Sequence, residues 1–123
     1  YEVLDSYSVL CMSCHDGVTA LDSFGGNSGS QIIGNAGNLG LDLQDDHPIG
    51  AAAIYPDVHY MNDPINWENS PHGFTLKEMD VGGTLEKVVS CTTCHEPHKR
   101  GGREKMLWVV NDGSALCLTC HLK

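Results

Sequence analysis

Hydrophobic and polar positions along the 123-residue chain rarely settle into a regular period. Near the start, Val9, Leu10 and Met12 follow Asp5 or Ser6, either of which is a good N-cap, so a short helix is predicted over residues 1 to 15. From Asp16 to Ser90 neither a 3.6-residue nor a 2-residue period is sustained, and this stretch holds 11 of the 14 Gly and four of the five Pro. It reads as loop. After Gly82-Gly83, Thr84 to Val89 reads as a short strand with Lys105 to Val110 as its partner, and the polar loop Lys99 to Glu104 lies between them. Asn111-Asp112-Gly113 is a turn signal, and Ser114 is a good N-cap for a last helix through Ala115, Leu116 and Leu118. The expected fold class is mostly irregular chain with a few short α-helices and at most a small β-hairpin, in one domain spanning residues 1–123.

Composition narrows the partners. Seven Lys+Arg against 16 Asp+Glu give a net charge of −9, and no basic run is longer than Lys99-Arg100. Nucleic acid and anionic membrane surfaces are therefore not expected partners. The longest apolar stretch, Ile49 to Tyr55, is far shorter than the roughly 20 residues that cross a bilayer, so no membrane insertion is expected. With no charged-then-apolar leader ahead of Tyr1, the chain reads as soluble and free of an export signal, whether removed or never present. A chain this short buries only about two-thirds of its unfolded surface, which leaves a thin apolar core and calls for a staple or a cofactor.

The cysteines supply one. All six fall into three copies of a single pattern: Cys11-Met-Ser-Cys14-His15, Cys91-Thr-Thr-Cys94-His95 and Cys117-Leu-Thr-Cys120-His121. C-x-x-C-H is the attachment site of c-type haem: two thiols on one helical turn bond the two vinyl groups, and the adjacent His is the proximal iron ligand. Other uses of the thiols fit less well. Cys91, Cys94, Cys117 and Cys120 have near zinc-ribbon spacing, but zinc needs no His after the second Cys and leaves Cys11 and Cys14 unexplained. A thioredoxin-like site wants a βαβ context, and disulfides within each pair would close very short loops. The expectation is three covalent haems and a haem-centred architecture in which irregular backbone wraps the cofactors. The haem-free chain should then be unfolded.

Seven His less three proximal ligands leave His47, His59, His72 and His98 for the distal positions. His98 lies three residues after His95 and cannot reach the opposite face of its own macrocycle, so as a ligand it must serve another haem. His47, in Asp45-Asp46-His47-Pro48, is stiffened by Pro48, and a preceding carboxylate could bond its second nitrogen. His72 is braced by Pro71 and freed by Gly73; His59 lacks such bracing and ranks as the spare. Met61, Met79 and Met106 are the competing axial ligands, although core packing is their commoner role.

The segments Cys11 to Leu21, Asp45 to Gly50, Cys91 to His98 and Gly113 to His121 together resemble the multihaem c-type cytochromes of metal-reducing bacteria such as Geobacter. The resemblance implies distal roles for His47 and His98. It also implies export, to the periplasm or beyond the cell, and electron transfer in extracellular respiration, with other redox proteins or extracellular metal acceptors as partners. Some relatives polymerise into filaments in which a His of one subunit ligates a haem of the next, and a homopolymer of this kind is an expectation here. Many relatives carry a further N-terminal C-x-x-C-H that this chain lacks, and residues 51 to 86 have no counterpart in the resemblance. The competing class is a small haem reductase or peroxidase with one open iron. No motif, however, has Lys in place of the proximal His. Three haems would add six propionates, taking the oxidised holoprotein to about −12 and the reduced one to about −15.

Overall fold

The structure is a computed structural model and describes residues 3–56, 74–98 and 104–122. Helix α1 spans Ser6–His15, and Asp5 caps it by accepting the backbone N–H groups of Tyr7 and Ser8. The cap residue and the helix extent agree with the pattern in the sequence. The chain from Asp16 to Ile49 is turns and loop held by local side-chain bonds. Asp16 accepts the N–H groups of Val18 and Thr19, and Asp22 accepts those of Ser30 and Gln31. These backbone donors, led by Thr19 and by Gln31, hold both carboxyls below their ordinary range.

A three-stranded antiparallel sheet interrupts the loop region: β1 (Ile54–Tyr55), β2 (Lys77–Val81) and β3 (Thr84–Val88), in the order β1-β3-β2. Lys77 pairs with Val88 and Val81 with Thr84, so Gly82-Gly83 is a two-residue hairpin turn. Both glycines have positive φ, 64° and 89°, as the tight antiparallel turns demand, and Asp80 closes the turn by accepting the Gly83 N–H. This corrects two expectations. The partner of the 84–88 strand is 77–81, not 105–110, and the sheet exceeds a hairpin by the short strand β1. The physical reason is also clear at 105–110, where Lys105 and Met106 adopt φ of 52° and 54° and cannot extend as a strand. That segment is a 3-10 turn at Glu104–Met106 followed by one isolated bridge between Leu107 and His95.

Helix α2 is the single turn Cys91–Cys94, and α3 is Ala115–Cys120. Ser114, expected to cap α3, instead has φ of 65° and makes no capping bond with its side chain. Asn111 serves in its place, its Oδ1 accepting the N–H of Leu116 at 3.2 Å. The buried apolar side chains among the described residues are few: Leu4, Met12, Tyr55, Phe74, Val88 and Val89. Tyr55 and Phe74 form one cluster, against which Trp108, Leu116 and Cys120 pack. Among the described residues no helix is long and apolar enough to cross a membrane.

Candidate functional site

Each C-x-x-C-H motif sits on its own helix, as thiols three residues apart require. In motifs 2 and 3 the geometry repeats: the N–H of the motif His returns to the carbonyl of its first Cys, at 2.9 Å for His95 and 2.8 Å for His121. The His then leaves the helix with extended backbone. His15 instead ends the longer α1 in helical register.

The imidazoles are held in one tautomer. His15 Nδ1–H donates to the carbonyl of Gly37 at 2.6 Å, and His95 Nδ1–H to that of Lys105 at 2.8 Å. His47 Nδ1–H donates to the carbonyl of Pro48 at 2.8 Å. A carbonyl can only accept, so in all three rings Nδ1 carries a proton, and Nε2 is the ring nitrogen left to a metal. The carboxylate expected behind His47 is thus replaced by the backbone of the residue that follows it. The left-handed Lys105-Met106 turn serves the same end at motif 2, since the Lys105 carbonyl meets His95 and that of Met106 accepts the Glu96 N–H.

His47 is carried by a loop that is clamped from both sides. Gly50 N–H donates to Val89 O and Ala51 N–H to Val3 O, both at 2.8 Å. Gly50 has φ of 61°, and a Cβ there would overlap the Val3 carbonyl. Gly50→Ala is therefore expected to destabilise the holoprotein by more than ~1 kcal/mol, read as a lower melting temperature; an unchanged melt would refute the clamp.

The clamp brings the His47 ring to 6.1 Å from the His121 ring, centre to centre, with their planes 57° apart. His47 also lines an apolar cavity of about 160 Å3 together with Met12, Cys91, Cys94 and His95. A neighbouring cavity of about 570 Å3, lined by Val3, Leu4 and Leu41, shares His47 with it. His98 is exposed in the turn after motif 2, its backbone N–H on Glu96. His59, His72 and Met61 lie outside the described residues.

The three motifs form a chain in space. Cys11 and Cys91, 80 positions apart, are in hydrogen-bonding contact, while Cys94 is close to Cys117 and Cys120. Motif 2 is the middle one. Burial, aided by the neighbouring Cys91, pushes the Cys11 thiol up to about 11. Burial, aided by Cys94, does the same at Cys120, and Cys94 is raised for similar reasons. Reactive redox dithiols have lowered, not raised, thiol pKa values, so a thioredoxin-like role is disfavoured. All six cysteines are unpaired. Among the described residues no three His, Cys, Asp or Glu side chains converge as a metal-ion site.

Residues 86–123 match the family model of the doubled CXXCH motif. None of the curated proteins and none of the solved structures matches the chain. The matched segment contains motifs 2 and 3 and nothing of motif 1. The doubled motif supports a multihaem c-type cytochrome with electron transfer as its role, and the CXXCH sequences indicate covalently bound c-type haem. The donor set fits that group: paired thiols on a turn, followed by a His, which in motifs 1 and 2 spends Nδ1 on a backbone carbonyl.

Proposed function

We propose that the chain is a trihaem electron-transfer protein, one haem per C-x-x-C-H motif, with mainly bis-His six-coordinate irons, working outside the cytoplasm in extracellular respiration. The observation that carries the bis-His reading is the His47–His121 pair. Metal–imidazole nitrogen bonds are about 2.0–2.1 Å, and each nitrogen lies about 1.1 Å from its ring centre, so two rings on opposite sides of one metal have centres about 6.3 Å apart. The separation of 6.1 Å supports His47 as the distal partner of His121, in motif 3. His47 borders the motif 2 cavity too, but a cavity wall is shared by many residues, whereas axial ligation is a relation between two rings.

When bound, haem supplies a reversible one-electron couple. The chain's own part is to hold its ligands still. The Gly37, Pro48 and Lys105 carbonyls fix the three imidazoles, and the contact of Cys11 with Cys91 and the closeness of Cys94 to Cys117 and Cys120 keep successive attachment points adjacent. Export and extracellular or redox-protein partners follow the resemblance described above. Intact mass with a pyridine haemochrome spectrum tests the class: three covalent haems are expected, and zero haem with bound zinc would overturn it. A high-spin band that shifts with cyanide in the wild-type protein would favour the reductase or peroxidase class instead.

A further inference from the structure

The seam between motifs 1 and 2 contains a buried polar cluster that haem attachment does not itself require. Asp5 is 2% exposed. Its Oδ1 accepts the N–H groups of Tyr7 (3.0 Å) and Ser8 (3.2 Å) and the Ser90 hydroxyl (3.1 Å), and its Oδ2 accepts the Ser8 hydroxyl (2.5 Å). Ser8 Oγ also lies 3.2 Å from Ser90 Oγ and accepts the N–H of Cys91 at 3.2 Å. Ser8 and Ser90 are as deeply buried as Asp5. One carboxylate thus caps α1, which bears motif 1, and through two hydroxyls holds the residue before motif 2 and the first Cys of that motif.

A helix cap does not need a charge. Asn and Ser cap as well as Asp does, and each would spare the cost of burying a carboxylate. The carboxylate lies one hydroxyl away from the attachment turn, for Ser8, whose hydroxyl donates to Asp5, accepts the N–H of Cys91. In a protein interior such a charge is weakly screened, and it favours whichever redox state of a neighbouring centre carries more positive charge.

We infer that Asp5 is a potential-setting residue, a buried negative charge shared by the first two haem-bearing turns that stabilises their oxidised state and leaves the third centre unaffected. The inference rests on the trihaem reading. Among the described residues the Asp5 carboxylate accepts from the segments of motifs 1 and 2, and no hydrogen bond joins it to motif 3, which approaches Cys94 of motif 2. Asp5 acts on the iron through space and through the attachment turns, so it is a positioning and electrostatic residue.

The test is a spectroelectrochemical titration of the holoprotein and three variants. Asp5→Asn keeps the shape and the cap and removes the charge; Asp5→Ser is a second uncharged cap; Ser90→Ala removes one hydroxyl from the seam and keeps the charge. Two of the three one-electron components are expected to move to higher potential in both Asp5 variants, with the third in place, while Ser90→Ala raises none. Three components moving together, or none moving, would overturn the inference. So would failure of both Asp5 variants to take up haem, which would make Asp5 a structural cap alone. A wild-type haemochrome count other than three strikes the trihaem reading and this inference with it; three haems with unmoved potentials strike this inference only.

Discussion

A His47→Ala holoprotein is expected to keep all its covalent haem and to lose low-spin character at one centre. His47 belongs to none of the attachment motifs, so its removal leaves thioether formation intact. Its Nδ1 proton is committed to Pro48, which leaves Nε2 as the coordinating atom, and the ring centre lies 6.1 Å from that of His121, close to the separation of an axial pair. Truncation should therefore convert roughly one-third of the haem absorbance from six-coordinate to five-coordinate form and allow about one equivalent of carbon monoxide to bind, where the parent binds none. His47→Met should restore six-coordination with a raised potential at that centre, because thioether ligation favours the reduced iron. Electron paramagnetic resonance and optical spectra read both outcomes. A His47→Ala protein that stays fully low-spin would remove His47 from the ligand set; complete loss of low-spin signal would mean that the loop holds the whole fold.

The sequence made the three attachment turns legible because their chemistry is written in residue types at fixed spacing. Asp5 as cap of α1 was readable because a capping residue acts on neighbours a few positions away; at α3 the helix was expected from the turn signal before it, but its cap is Asn111, not Ser114. The strand at 84–88 was readable, but its partner was not chosen correctly, although Gly82-Gly83 between two short runs is itself a hairpin signal. The pair is the turn inside a hairpin, not a break before a strand. Other features had no local signature at all. The carbonyls of Gly37, Pro48 and Lys105 that orient the imidazoles are backbone atoms, present at every position and distinguished only by tertiary placement. The contact of Cys11 with Cys91 and the sharing of Asp5 between Ser8 and Ser90 join residues about 80 positions apart. Buried Asp5 looked like an ordinary N-cap, since nothing at residues 5 to 9 announces that Ser90 will close over it.

The largest effect is expected from withholding haem altogether. Chain in which all six cysteines are replaced by Ala should show a coil-like far-UV circular dichroism spectrum and melt without a cooperative transition, whereas the holoprotein melts cooperatively. The buried apolar side chains among the described residues amount to one small cluster around Tyr55 and Phe74 together with Leu4, Met12, Val88 and Val89. Against these stand large apolar side chains left in contact with water, among them Leu10 at 70% exposure and Phe24 at 74%. Folding must offset a backbone entropy cost of about 1–2 kcal/mol for every residue ordered, and fully burying a large apolar side chain returns only about 1.5–3 kcal/mol. Six buried apolar side chains cannot order loops as long as Asp16 to Ile49 by themselves. The cavities beside Met12 and Leu43, in contrast, present apolar walls next to Cys91 and His47, where a large flat cofactor would bury what the side chains leave open. Covalent attachment then acts as a staple as well, by tying two points of each turn to one rigid body. Amide hydrogen exchange would locate the dependence: protection at α1, α2 and their Asp5–Ser8–Ser90 seam should vanish in the cysteine-free chain. A cooperative melt retained without haem would show that the side chains alone suffice to specify the fold.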